Sequence, residues 1–189
     1  LFQKNKLSEE QFKYCLPPPK VRPGRLYFLK KIHKNPHGIR PIVSSCGNAT
    51  ENISQFVDKC LQPEMKKIPS YIKDSSDFVN KIRKLKVGKD AILASLDVVS
   101  LYTNIPHDQG IDATREATRK SARPRVDPDT LAELTKIVLK NNFFEFANEL
   151  YLQTQGTAMG TKLAPAYANI FMGKIETLWQ TLAPPGKIV

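Results

Sequence analysis

Nowhere in the 189-residue chain do about 18 apolar residues run together, so no ordinary membrane-spanning helix is expected. Cysteine is scarce. Cys15, Cys46 and Cys60 are odd in number, widely spaced and without a C-x-x-C pair. Neither a disulfide framework nor a zinc site is therefore suggested, and the thiols are expected to be reduced, as in an intracellular protein. The histidines His33, His37 and His107 fall in no H-E-x-x-H or His/Cys spacing and are expected to be structural or exposed. No G-x-S-x-G elbow is present, which removes support for a serine hydrolase. No basic-then-apolar leader opens the chain, so no secretory signal is expected. Because it begins Leu1-Phe2 and stops after Ile188-Val189, a piece of something longer is the expectation. Internal repeats and low-complexity segments are also missing.

Acidic residues are short relative to basic ones, 18 Asp and Glu against 29 Lys and Arg, for a formal net charge of +11. The imbalance is uneven. From Leu1 to Arg40 there are ten Lys/Arg against Glu9 and Glu10 alone. Basic residues alternate with aromatics here, which points to a polyanionic partner, most simply nucleic acid. The bland alternative is a solvated basic face. A membrane surface has no support from a Lys-rich amphipathic helix. The 41% hydrophobic and 25% charged content is that of a globular chain.

Along the chain, residues 1–24 read as an extended N-terminal segment. Ser8-Glu9-Glu10-Gln11 forms a capping box for a short helix ending near Tyr14, and Pro17-Pro18-Pro19 follows. Arg25 to His33 and Ile39 to Ser45 read as a β-hairpin around Asn35-Pro36-His37-Gly38. A helix starts at Asn48 or Thr50 and buries Ile53, Phe56, Val57, Cys60 and Leu61, with Pro63 ending or kinking it. Another starts near Ser75 or Ser76 and carries Phe78, Val79, Ile82 and Leu85 inward. Ala91 to Leu96 reads as a buried strand with Asp97 at its C-terminal end. Helices follow from about His107 to Lys120 and after the Asp127-Pro128 start signal. Phe143–Phe146 and Leu150–Leu152 read as a second hairpin, then a glycine-bearing loop from Gln153 to Lys162, then a helix from Leu163 to Trp179.

Three stretches look chemical. In Lys34-Asn35-Pro36-His37-Gly38-Ile39-Arg40, two cations flank a turn and suit a triphosphate, Arg as a fork and Lys as a point charge. In Asp97-Val98-Val99-Ser100-Leu101-Tyr102, a costly buried acid needs either a metal ion or a basic partner. Mg²⁺ is one such partner, and a capped strand end with a core tyrosine is the bland alternative. In Gln155-Gly156-Thr157-Ala158-Met159-Gly160-Thr161-Lys162, the glycines are one residue too close for a phosphate loop, which rules that loop out. They still permit close backbone approach to a flat ligand.

Taken together and in this order, the stretches resemble reverse transcriptases, most closely the Penelope-like retroelement type. Tyr27-Phe28-Leu29-Lys30-Lys31-Ile32-His33-Lys34 with Arg40-Pro41-Ile42-Val43 is similar to that family's fingers hairpin. Ser95-Leu96-Asp97-Val98-Val99-Ser100-Leu101-Tyr102-Thr103-Asn104-Ile105-Pro106 is similar to its first catalytic motif. Gln155-Gly156-Thr157-Ala158-Met159-Gly160-Thr161 with Leu163-Ala164-Pro165 is similar to its glutamine-glycine motif. The resemblance implies an α+β right-hand polymerase, fingers and partial palm, with an antiparallel sheet and packed helices. It divides the chain into 1–24, fingers at 25–90 and partial palm at 91–189. It implies that Lys34 and Arg40 bind the dNTP triphosphate. Asp97 and the Val98 carbonyl would hold Mg²⁺, or Mn²⁺. Tyr102 would exclude ribonucleotides, Gln155 and Gly156 would lie against nucleotide and template base, and Arg25, Lys30 and Lys31 would meet nucleic acid. The implied partners are an RNA template, a DNA primer and dNTPs, with no membrane, and the implied location is intracellular and nuclear. One departure stands out. The family's second metal motif carries two adjacent aspartates, and this sequence contains no Asp-Asp pair. The expectation is a chain that does not extend primers alone. Its alternative is a non-catalytic nucleic-acid-binding module derived from such an enzyme.

Overall fold

The computed structural model describes residues 6–33, 35–92, 94–122 and 124–182. Among them are seven helices and four strands: α1 (Glu9–Cys15), β1 (Gly24–Lys31), β2 (Gly38–Ser44), α2 (Glu51–Met65), α3 (Ser75–Ile82), α4 (Leu101–Asn104), α5 (His107–Arg119), α6 (Pro128–Lys140), β3 (Phe143–Phe146), β4 (Glu149–Leu152) and α7 (Ala164–Leu182).

Local signals set most of these boundaries. Ser8 Oγ accepts the Gln11 amide at 3.2 Å, and Gln11 Oε1 accepts the Ser8 amide at 2.9 Å, so α1 opens on the expected capping box. Asp127 caps α6 by accepting the Thr130 amide at 2.9 Å, with Pro128 in the first turn, where no amide hydrogen is needed. Pro63 lies inside α2 near its end. Its ring removes the hydrogen bond to the carbonyl four residues back, that of Lys59. Arg125 occupies the freed carbonyl, its Nη1 at 3.3 Å from the Lys59 oxygen.

The core is helical. Val57 and Leu61 of α2, Ile111 of α5, Leu131, Leu134 and Val138 of α6, and Tyr167 and Ile170 of α7 are buried in one cluster with Ile105 and Leu163. At about 1.5–3 kcal/mol for each fully buried large aliphatic side chain, this cluster is the main source of stability. Helix α7 approaches the end of α2 closely at Gly173, where a Cβ would lie 2.8 Å from an Ile68 methyl. None of the described helices is long and apolar enough to cross a membrane.

The sheet has the order β2-β1-β3-β4. Both hairpins are antiparallel, as the sequence predicts, but β1 meets β3 in parallel at Gly24–Phe144 and Arg25–Glu145, so the sheet is mixed rather than antiparallel. The β3–β4 turn uses left-handed Ala147 (φ 52°) and Asn148 (φ 63°), the pair of positive angles a tight two-residue hairpin requires. Phe144 stacks on Tyr151, and Phe28 meets Phe146 edge-on across the parallel junction.

Two sequence expectations fail. Among the described residues of 91–97 no strand forms. Ile92 is 93% exposed and Leu96 88%, Asp97 is exposed beside them, and Leu93 lies outside the described residues. A strand exists only through a ladder partner, and the described sheet is built wholly from the two hairpins, with no ladder to the described residues of 91–99. Phe78, Val79, Ile82 and Leu85 are likewise exposed rather than inward. Their spacing tells which residues share a face of α3, not whether anything covers it.

Candidate functional site

Tyr102 is set by a turn that begins at Ser100, a non-glycine residue in the left-handed region (φ 52°, ψ 43°). The Ser100 carbonyl accepts both the amide and the hydroxyl of Thr103, at 3.1 and 3.0 Å. The Val99 carbonyl accepts Asn104 Nδ2 at 3.1 Å. These bonds hold α4 in place and leave Tyr102 half-buried against the helical core.

The glycine-bearing loop is fastened to that turn. Thr157 donates its amide to the Tyr102 carbonyl at 2.7 Å. Gly156 has φ +70°, and a Cβ there would lie 2.5 Å from the Thr103 Cα and from the Tyr102 oxygen. Only glycine meets both demands, the left-handed backbone and the close approach to main chain. The other end of the loop lies on β2. Val43 donates its amide to the Met159 carbonyl at 3.0 Å, and Ser45 Oγ donates to the Gly160 carbonyl at 2.9 Å. Gly160 (φ +138°) passes so close to the Val43 carbonyl that a side chain there would collide with it. Ser54 Oγ of α2 then accepts the Leu163 amide at 3.1 Å, where the chain turns into α7. The loop thus bridges the sheet, the Tyr102 turn and α2.

Between the loop and the sheet lies a cleft of about 410 Å³. Leu26, Pro41, Val43, Phe144 and Tyr151 line it from the strands, and Gln155, Thr157, Ala158, Met159 and Thr103 from the other side. The walls are apolar and aromatic with a few hydroxyl and amide groups, a lining that suits a flat ring with polar edges. Gln155 stands exposed at its mouth, its carbonyl accepting Gln153 Nε2 at 2.8 Å.

The sequence-derived residues divide accordingly. Tyr102, Gln155 and Gly156 come together. Arg40 is exposed on β2 and pairs in register with Leu29, while its neighbours Pro41 and Val43 include cleft-lining residues. Strand alternation therefore puts Arg40 on the opposite face of the hairpin. Lys30 shares the cleft-side parity with Pro41 and Val43, whereas Arg25 and Lys31 share that of Arg40. Lys34 lies outside the described residues. Asp97 and Val98 lie in the exposed segment before the turn. Asp97 has no hydrogen bond or ion pair among the described residues.

His107, read from sequence as structural or exposed, is a buried part of this site. It is the first residue of α5, and its Nε2 lies 2.7 Å from the Gly156 carbonyl. The only signal for it in the sequence is weak, a histidine directly after the proline that starts a helix. Ser45 and Val43 were missed for a different reason. They act through geometry and a main-chain amide rather than through residue type.

Charge is perturbed mostly away from the loop. Backbone donation from Thr130 is the first cause holding the Asp127 carboxyl below its ordinary range. Burial pushes the Tyr167 phenol above its own, with the nearby negative charge of Asp108 adding to it. Among the described residues no three His, Cys, Asp or Glu side chains are grouped to hold a metal ion. Asp97 supplies a single exposed carboxylate. A two-metal centre against phosphate needs more anionic ligands than that. The residues in hand do not fit such a centre.

The site is thus a mixed sheet against a helical core, with a basic hairpin and an apolar, aromatic cleft bordered by a glycine-bearing loop. The family model described as "Reverse transcriptase (RNA-dependent DNA polymerase)" matches residues 32–187, and the chain belongs to that family. The match takes in Arg40, Asp97, Tyr102, Gln155 and Gly156, while Arg25, Lys30 and Lys31 precede it. The family implies RNA-directed DNA polymerisation with RNA template, primer and dNTP as ligands. No curated protein matches the chain.

Proposed function

We propose that this chain is the nucleotide- and template-binding portion of a retroelement reverse transcriptase of the Penelope-like type. It comprises fingers at 25–90 and part of the palm at 91–189. The observation that carries the reading is the junction of Tyr102 with Gln155-Gly156-Thr157. Two stretches far apart in sequence, each resembling the family's pattern, share a main-chain hydrogen bond beside an apolar and aromatic cleft of about 410 Å³.

In this reading the cleft receives the incoming nucleotide and the template base facing it. Gln155 and Gly156 press against them, and the Tyr102 ring closes the space at the sugar's 2′ position. Lys34 and Arg40 bind the triphosphate, and Arg25, Lys30 and Lys31 neutralise phosphates of primer and template. The support for Arg40 and Lys34 is the resemblance rather than contact geometry. Polymerisation is attack of a primer 3′-hydroxyl on the α-phosphate with loss of pyrophosphate, and positioning supplies much of the rate. The family's chemistry calls for Mg²⁺ or Mn²⁺, toward which the described residues of this chain offer Asp97 and the Val98 carbonyl alone, too few ligands for a two-metal centre. The chain holds no Asp-Asp pair, so binding without extension is expected from it alone. A primer-extension assay on RNA and DNA templates, in Mg²⁺ and in Mn²⁺, tests this. No product is expected. Robust synthesis that disappears in Asp97→Asn would overturn the inactivity.

The lack of a metal-binding group among the described residues equally suits a second reading, a nucleic-acid-binding module without catalysis. The coding sequence beyond Val189 separates the two. An apolar-x-Asp-Asp segment there supports the enzyme.

A further inference from the structure

Two buried side-chain polar atoms among the described residues have no hydrogen-bond partner, His107 Nδ1 and Tyr167 Oη. Their residues are 6% and 0% exposed, so bulk solvent does not satisfy them. They belong to one neighbourhood. Gly110 stands three residues after His107 on α5, the spacing that places two positions on one helix face. A Cβ built on Gly110 would collide with the Tyr167 hydroxyl. The Tyr167 hydroxyl therefore packs over the face of α5 that Gly110 shares with His107.

The other edge of the imidazole is already committed. Nε2 is 2.7 Å from the Gly156 carbonyl. A carbonyl only accepts, so Nε2 carries the hydrogen and donates. In the neutral ring Nδ1 is then a buried lone pair, and Tyr167 Oη, over the same face of α5 one turn on, is a buried hydroxyl with a hydrogen to give. Leaving both unmade is costly, and a single molecule bridging them removes both costs.

We propose that His107 Nδ1 and Tyr167 Oη hold one internal water, and that His107 thereby acts as the positioning residue of the Gln155-Gly156 turn. The water accepts the Tyr167 hydroxyl hydrogen and donates one of its own to Nδ1. This fixes both the tautomer and the tilt of the ring. The ring in turn fixes the Gly156 carbonyl, and the next amide, that of Thr157, is the one bonded to Tyr102. A link therefore runs from α7 through α5 to the loop and the tyrosine beside the cleft. The inference rests on the reverse transcriptase reading only for its consequence, that the aligned groups are those facing nucleotide and template.

The experiment is long-range ¹⁵N–¹H NMR of the histidines in the full 189-residue chain at neutral pH, with hydrogen exchange read at the Thr157 amide. His107 is expected as the Nε2–H tautomer. Tyr167→Phe, which keeps the ring and removes the hydroxyl, is expected to move the Nδ1 resonance toward that of an unbonded lone pair. His107→Ala is expected to speed Thr157 exchange by about tenfold or more, the scale of one hydrogen bond removed, and His107→Gln, whose side-chain amide reaches the carbonyl, to restore most of the protection. If His107→Ala does not fold, the Tyr167→Phe and His107→Gln spectra carry the test. A proton on Nδ1, an Nδ1 resonance indifferent to Tyr167→Phe, or Thr157 exchange unchanged when the imidazole is removed would each overturn the proposal. Primer–template binding by the wild-type chain is measured in parallel. Its absence would overturn the reverse transcriptase reading and leave the water and the tautomer standing.

Discussion

Thr157 donates its amide hydrogen to the carbonyl of Tyr102 across 2.7 Å, which ties the glycine loop to the turn that presents the tyrosine. Gly156 makes this approach possible, since its missing side chain leaves room for the Tyr102–Thr103 main chain. Gly156→Ala adds a methyl group where main chain already stands and forces a left-handed angle on alanine. Overpacking costs about 1–3 kcal/mol, and the backbone angle adds to it. Urea denaturation is expected to show a loss in that range. A variant within about 0.5 kcal/mol of wild type, the scatter of ordinary surface changes, would mean the loop does not sit where the structure places it.

Asp127 illustrates a stability term that depends on pH. Its carboxylate is the N-cap of α6, and donation from the Thr130 amide and hydroxyl, with Lys6 adding a smaller part, holds its pKa down. A lowered folded-state pKa gives stability that is fully present above the unfolded value of about 4 and is lost as pH falls through the folded value. Asp127→Ala is expected to cost about 1 kcal/mol at pH 7, the usual worth of such a cap, with the difference from wild type shrinking as pH falls below about 4. Thermal unfolding of both proteins across that window checks the sign.

The three thiols separate by exposure. Cys46 is exposed, whereas burial pushes the Cys15 and Cys60 thiols up to about 11. The nearby Arg125 draws Cys60 partly back. Near pH 7.5, alkylation followed by peptide mass mapping is expected to label Cys46 first. Cys15 and Cys60 should react only as the packing of α1 on α2 opens, so mild urea should raise their rates and leave that of Cys46 nearly unchanged.

Local chemistry was legible in the sequence, and partnership was not. The Ser8 capping box, the Asp127-Pro128 start, both hairpins and the apolar face of α2 can be read directly, because each depends on residues within a few positions of one another. The segment 91–97 carries a strand's composition, but pairing depends on a second segment that no local pattern reveals. The face of α3 failed for the same reason. At the site, the resemblance to reverse transcriptases pointed to Tyr102, Gln155 and Gly156, which the fold brings together. It did not point to His107, whose role comes from a distant carbonyl. Nor did it show that pleating sends Arg40 to the face opposite Pro41 and Val43.

The central claim is that this basic chain holds primer–template as a reverse transcriptase domain does, chiefly through phosphates. The direct measurement is fluorescence anisotropy of a labelled RNA–DNA primer–template titrated with the chain over a series of salt concentrations. Affinity is expected to fall linearly on a log–log plot, by orders of magnitude between about 50 and 200 mM salt if six or more phosphates are neutralised, and with little dependence on base sequence. The variant Arg25→Gln/Lys30→Gln/Lys31→Gln is expected to flatten that slope by just under one for each phosphate that no longer meets a cation. No binding at low salt, or an affinity indifferent to salt, would contradict the account.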